Sequence, residues 1–110
     1  MTRKKDLARL ASLSGLILDQ KLAVLQSLAA EREASLQRLR DLAQNNPGKY
    51  ETPQDAQVAL RYNRWADARR ADINITLARQ TAEWLDARAE AKHAFGRAEV
   101  LRQLQGKEAK

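Results

Sequence analysis

The chain has 110 residues, a formal net charge of +6 and no cysteine. This length allows one domain at most, and a mostly helical chain of this size has no deep core in which to bury a substrate or cofactor. The lack of cysteine excludes disulfides and thiolate chemistry. No apolar run approaches the roughly 20 residues that a membrane-spanning helix needs. The basic N-terminal segment is interrupted by polar residues, unlike a secretory signal, so we expect a cytoplasmic protein.

A first helix is predicted from about residue 5 to residue 44. Its apolar residues recur at three- and four-residue intervals, and the apolar face is wide as far as Ala29 and narrower beyond it. Gly15 lies inside this helix and should weaken it by about 1 kcal/mol relative to alanine. Asparagines, a proline and a glycine follow between residues 45 and 52, which predicts a turn joining antiparallel neighbours.

A second helix is predicted from about residue 53 to residue 105. Thr52 and Pro53 have the form of an N-cap and first helical position, and Asp55 follows the cap by three residues. Only Gly96 interrupts the helix-forming sequence beyond this point, so a helix of roughly 80 Å is expected. The fold class is therefore all-α: residues 1–110 form a single antiparallel two-helix coiled-coil hairpin whose second helix is the longer one.

The second helix carries two apolar stripes at heptad spacing. The first stripe is rich in alanine, which lets a partner helix approach closely, and we assign it to the interface with the first helix. It comprises Ala56, Ala59, Ala66, Ile73, Leu77, Trp84, Ala87, Ala91, Ala94, Ala98 and Leu101. The second stripe lies on the far side and comprises Ala68, Ala71, Ile75, Ala78, Ala82, Leu85 and Ala89, with Trp65 one turn earlier on a neighbouring face. Either this stripe binds a partner or its alanines serve helix propensity and tolerate solvent.

Size complementarity between the two helices suggests a specific alignment. It places Leu42 opposite Ala56, Ser35 opposite Asn63, Arg32 opposite Ala66, Lys21 opposite Leu77 and Leu7 opposite Ala91. In this alignment the segment from Phe95 to Gln105 projects beyond the first helix and leaves Phe95, Val100, Leu101 and Leu104 uncovered. We interpret the projection as a site for insertion into a partner; folding back on the N-terminal arm and fraying are the alternatives.

Charge is concentrated on the second helix. Residues 56–110 carry eleven basic and seven acidic side chains, against nine and seven in residues 1–55. Arg61, Arg64, Arg69 and Arg70 cluster around a single acid, Asp67. Such a cluster could contact nucleic acid, anionic lipid or an acidic protein, or could be an ordinary solvated face. No groove-reading motif accompanies it, and nucleic acid is not the expected partner.

The sequence lacks the motifs and residue spacings that are typical of catalytic sites. His93 is the one histidine, and with no cysteine or second histidine it is expected to be an exposed helix residue and not a metal ligand. No glycine-rich phosphate loop and no nucleophile with a base at usable spacing occur. We therefore expect no enzymatic activity, cofactor or metal.

The chain resembles the flagellar export chaperones of the FliJ type and their injectisome counterparts of the YscO type in type III secretion. The resemblance rests on Tyr62, Trp65, Arg69, Ile73 and Leu77, and on the terminal run of Ala91, Ala94-Phe95-Gly96-Arg97, Leu101 and Leu104. It implies an antiparallel coiled coil, similar to a rotary-ATPase stalk, that inserts its paired termini into a hexameric export ATPase and contacts the export gate elsewhere. It implies that Phe95, Arg97, Leu101 and Leu104 face the ATPase and that Tyr62, Trp65 and Arg69 lie nearer the gate.

A second hypothesis needs no export apparatus. The chain could be a general coiled-coil adaptor, or a homo-oligomer of helical hairpins that associates through Ile75 and Leu85. In either case the expected partners are proteins, with no membrane span and at most a peripheral place at a membrane apparatus.

Overall fold

Two long α-helices make up the protein. The computed structural model describes residues 2–44 and 51–108, with helix α1 spanning Arg3–Gln44 and helix α2 spanning Pro53–Glu108. Contacts between the helices run antiparallel, and α2 is the longer one, so the predicted helical hairpin is confirmed. The predicted turn at 45–52 falls largely on residues 45–50, outside the described residues. No helix in the described part is both long and apolar enough to cross a membrane.

Both helices begin at a threonine cap. The Asp55 amide donates to Thr52 Oγ1 at 3.1 Å, and the Thr52 amide donates to Asp55 Oδ2 at 3.2 Å, which is the reciprocal pattern of a capping box. In α1 the Lys5 amide donates to Thr2 Oγ1 at 3.3 Å. These bonds satisfy backbone donors that have no partner within the helix, and so explain where each helix starts.

The heptad faces predicted for the two helices are the faces that meet. In α1 every position of this face is buried or half-buried, at Leu7, Ala11, Ser14, Leu18, Lys21, Leu25, Leu28, Arg32, Ser35, Leu39 and Leu42. In α2 the buried residues include five alanines, Ala59, Ala66, Ala87, Ala91 and Ala94, with Ile73. Ala56 was placed in this face and is exposed, so that assignment was wrong.

The chain divides into two compact units. The terminal unit comprises Met1–Ala29 with Glu83–Lys110. In it, Leu7 of α1 is buried, as are Ala87, Ala91 and Ala94 of α2. Lys21 Nζ lies 3.0 Å from Glu90 Oε2, and Arg3 Nε lies 3.3 Å from Glu108 Oε1.

The central unit comprises Ala30–Ala82. Leu42, Ala66 and Ile73 form its apolar cluster, and Leu39 and Tyr62 pack against it. A polar layer follows along α1. There the Ser35 hydroxyl donates to Gln80 Oε1 at 2.6 Å, and Arg32 Nε donates to Thr81 Oγ1 at 2.9 Å.

The alignment expected from size complementarity is wrong in both units. Ser35 bonds to Gln80 instead of facing Asn63, and Lys21 pairs with Glu90 instead of facing Leu77. The partners lie about two heptads further along α2 than predicted. A heptad pattern looks the same after a shift of whole heptads, so the correct faces meet at a different axial position.

The predicted projection of Phe95 to Gln105 is wrong for the same reason. In the terminal unit, Lys4, Leu7 and Ala8 of α1 line a groove together with Arg102, Gln105, Gly106 and Glu108 of α2. The last turns of α2 therefore have α1 beside them. In the central unit, α1 ends two residues after Leu42, which packs beside Ala66, so it is the first turns of α2 that extend past α1.

Candidate protein-binding surfaces

The four residues expected to face an ATPase divide into two exposed and two half-buried side chains. Phe95 is 57% exposed and Arg97 is exposed as well. Leu101 and Leu104 are half-buried. Phe95 and Arg97 are thus available to a partner, whereas Leu101 also contributes to the interface between the helices.

Phe95 forms one wall of an apolar groove between the helices. Leu18, Leu22 and Leu25 of α1 line the other wall, with Arg88, Ala91 and Lys92 along α2. The groove has a volume of about 350 Å³. The Arg88 guanidinium lies 5.7 Å from the centre of the Trp84 ring, within the range of a cation–π contact. The groove therefore combines an apolar floor with a basic rim.

Arg97 and His93 line two further grooves in the terminal unit. One contains Ile17, Lys21, Ala89, Glu90 and Ala94, and the other contains Ser14, Lys92, Gly96, Val100 and Leu101. Both have mostly apolar walls, and Val100 is exposed. His93 is an exposed helix residue, as predicted.

The groove at the paired ends of the helices is bordered by an ion pair. Arg102 donates to both carboxylate oxygens of Glu99, from Nε at 3.2 and 3.1 Å and from Nη2 at 3.0 Å. This hydrogen bonding, with the charge of Glu99, raises the pKa of Arg102 above its usual value. Because Arg102 is exposed, the pair orients its side chain and contributes little stability.

The residues expected nearer an export gate come together in the central unit. The rings of Tyr62 and Trp65 lie 5.8 Å apart at their centres and are tilted by 44°. Tyr62 is half-buried against the apolar cluster, whereas Trp65 is 56% exposed. Arg69 is exposed four residues after Trp65, on the same side of α2. The structure thus brings these three residues into one surface.

The second stripe of α2 is exposed throughout. Ile75 is 72% exposed and Leu85 is also largely open to solvent. The five alanines assigned to this stripe are exposed as well. The hairpin does not cover this stripe, and its exposure is compatible both with a partner and with solvent-tolerant alanines.

The wide apolar face predicted for α1 includes a stripe that the hairpin leaves exposed. Leu10, Leu13, Leu16, Ile17 and Val24 are all exposed, within the terminal unit. Leu10, Leu13 and Ile17 follow the three- and four-residue spacing of a helix face, and Val24 continues it one heptad later. The sequence did not distinguish this stripe from the neighbouring buried face at Leu7, Ala11 and Leu18, because both have the same spacing.

Within residues 2–44 and 51–108, no three histidine, cysteine, aspartate or glutamate side chains lie together in a way that could hold a metal ion. Comparisons with protein-family models, with curated proteins and with solved structures found no match to this chain.

Proposed function

We propose that this protein is a non-enzymatic coiled-coil stalk and chaperone of a flagellar-type, type III protein export apparatus. In this role it binds a hexameric export ATPase through one end of the hairpin and an export gate through a second surface. It works in the cytoplasm, peripheral to the membrane apparatus, and uses neither a cofactor nor a metal.

The observation that supports this proposal best is the pairing of the first turns of α1 with the last turns of α2. Arg3 pairs with Glu108, and Leu7 lies in the same groove as Gln105 and Gly106. The export chaperones that this chain resembles insert paired termini into their ATPase. A projecting single helix, which the sequence alone suggested, fits that mode of binding less well than a two-helix end.

The contact surface for the ATPase consists of the exposed groups next to these ends. Phe95 supplies an apolar anchor beside the basic side chains of Arg88 and Lys92, and Arg97 supplies a charge on the other side of α2. An aromatic or arginine side chain in a partly apolar groove is the type of residue that dominates protein interfaces. Tyr62, Trp65 and Arg69 form the surface for the gate.

The test is capture of the hexameric export ATPase from the same cell by purified wild-type and variant hairpins. Phe95→Glu places a charge in the apolar groove and should reduce capture at least tenfold, since interface anchors contribute about 2 kcal/mol or more. Ile75→Glu is the matched control, because Ile75 is also exposed and lies in the central unit. Circular dichroism verifies that both variants stay helical. Equal capture by the Phe95 variant and the wild type would contradict the proposal.

A second candidate function follows from the exposed Ile75 and Leu85. A homo-oligomer of hairpins, or a general adaptor, would bury this stripe against another helix. Sedimentation equilibrium distinguishes it, because a stable dimer or tetramer that dissociates in the Ile75→Glu/Leu85→Glu variant requires no ATPase. A monomer at all concentrations rules out the oligomer.

A further inference from the structure

One surface of the central unit has unpaired positive charge around an exposed tryptophan. Arg61, Arg64 and Arg69 are exposed, and none of them forms an ion pair with an acid in the described part of the chain. Asp67 pairs with Arg70, whose Nη1 lies 2.8 Å from Asp67 Oδ1, and Asp72 lines a groove with Arg69 without forming an ion pair with it. The surface therefore keeps a local positive charge that the chain itself does not neutralise.

Arg61, Trp65 and Arg69 form a straight ridge on α2. They are spaced four residues apart, so their side chains lie above one another on one face, and Val58 continues the same face one heptad before Trp65. Eight residues of helix separate the two arginines by about 12 Å. The ridge thus presents a cation, a large aromatic ring and a second cation in a line. We call this set, with Arg64 and Val58, the Trp65 ridge.

The apolar members of the ridge indicate which class of anion it binds. Val58 and Trp65 are both more than half exposed. A phosphate backbone offers no apolar contact to Val58. The Tyr62 ring packs against the apolar cluster that contains Leu42, so it is not presented as a second surface on which bases could stack. Protein interfaces, in contrast, are enriched in tryptophan, tyrosine and arginine at their centres.

We propose that the Trp65 ridge binds an acidic amphipathic helix of another protein. The complementary helix carries an apolar residue that covers Trp65 and two carboxylates, each four residues from it, that pair with Arg61 and Arg69. Arginine is suited to this role because its planar fork binds a carboxylate through two hydrogen bonds. The inference deepens the proposed function, and it rests on that proposal only for placing the partner in an export apparatus.

Two synthetic helical peptides of identical composition test this inference. The first has glutamate, leucine and glutamate at four-residue spacing, and the second has the same three residues in the order leucine, glutamate, glutamate, so that a glutamate replaces the central leucine. The Trp84→Phe variant leaves Trp65 as the sole tryptophan, and its emission should shift to the blue when the first peptide covers it. We expect the first peptide to bind at least tenfold more tightly than the second.

Two arginine triple variants distinguish binding by the ridge from a general effect of the chain's positive charge. Arg61→Gln/Arg64→Gln/Arg69→Gln should weaken binding of the first peptide at least tenfold and reduce its salt dependence. Arg9→Gln/Arg40→Gln/Arg79→Gln removes the same charge from exposed sites outside the ridge and should change affinity by less than about twofold. All six arginines are exposed, so neither variant is expected to unfold. Trp65→Ser, read by calorimetry, should also abolish the preference for the first peptide.

Several results would overturn the inference. The two triple variants could weaken binding of the first peptide equally, or the wild type could bind both peptides with equal affinity or neither of them. The wild type could also bind a single-stranded oligonucleotide or anionic phospholipid vesicles more tightly than the first peptide at the same salt concentration. Failure here is distinguishable from failure of the proposed function. Trp65→Ser leaves Phe95 intact and should still capture the ATPase, whereas Phe95→Glu should still bind the first peptide.

Discussion

The Ser35 hydroxyl donates a 2.6 Å hydrogen bond to Gln80 Oε1, and both side chains are buried between the helices. Beside it, Arg32 donates to Thr81 Oγ1. A shift of α1 by one heptad in either direction would separate Ser35 from Gln80 and bury two polar groups without partners. Such a pair therefore selects one axial alignment from several that satisfy the heptad pattern.

Replacing Ser35 with alanine should lower the free energy of unfolding by about 1 to 3 kcal/mol, because the buried Gln80 amide loses its partner. Urea or thermal unfolding followed by circular dichroism measures the change. Ser12→Ala is the control, since Ser12 is exposed on the same helix and should have an effect within about 0.5 kcal/mol. Similar effects of the two variants would contradict a stabilising role for the bond.

The Ser35→Ala/Gln80→Leu double variant should be less destabilised than the sum of the single variants, because no unsatisfied polar group remains. A double-mutant cycle measures this coupling. Additive effects would mean that Ser35 and Gln80 contribute independently.

Cross-linking should report the alignment of the helices directly. The chain has no cysteine, so a pair of introduced cysteines reacts without competition. We expect Lys21→Cys/Glu90→Cys to be bridged efficiently by a short bifunctional maleimide, since the native side chains are in contact at 3.0 Å. Lys21→Cys/Leu77→Cys, the pair expected from size complementarity, should not react within the monomer. The opposite preference would show that the sequence-derived alignment is the correct one.

Gly15→Ala should stabilise the protein by about 0.5 to 1 kcal/mol. Gly15 lies inside α1, and a Cβ atom there would have no atom within 4 Å to displace. Alanine lowers the backbone entropy of the unfolded chain without a steric cost. Thermal unfolding measures the gain, and Ala82→Gly at an exposed position inside α2 should produce a loss of similar size. A destabilised Gly15 variant would indicate a tighter approach of α2 at this point.

Thr52→Ala should cost about 1 kcal/mol and increase fraying at the start of α2, because the Asp55 amide loses its acceptor. Amide hydrogen exchange at residues 54–56 locates the effect, and urea unfolding gives its magnitude. Thr52→Ser retains the hydroxyl and should restore most of the stability. Unchanged exchange in the alanine variant would show that the cap has no influence on the helix start.

The amino-acid sequence determined the local features of this protein. Proline, the capping residues and the apolar spacing are short-range signals, so the two helices, the capped start of α2 at Thr52 and the faces that meet were all predicted. The same spacing indicated that Ile75 and Leu85 would stay outside the hairpin, and they do.

Only the tertiary structure determined the axial alignment of the two helices. A heptad repeat defines a face but not an axial position, so pairing leucine with alanine fitted an alignment about two heptads away from the real one. The real alignment brings together residues that are remote in sequence, such as Ser35 with Gln80 and Lys21 with Glu90. The first turns of α1 lie beside the last turns of α2, and the exposed surfaces lie at Phe95, along the Trp65 ridge and at the stripe that begins at Leu10.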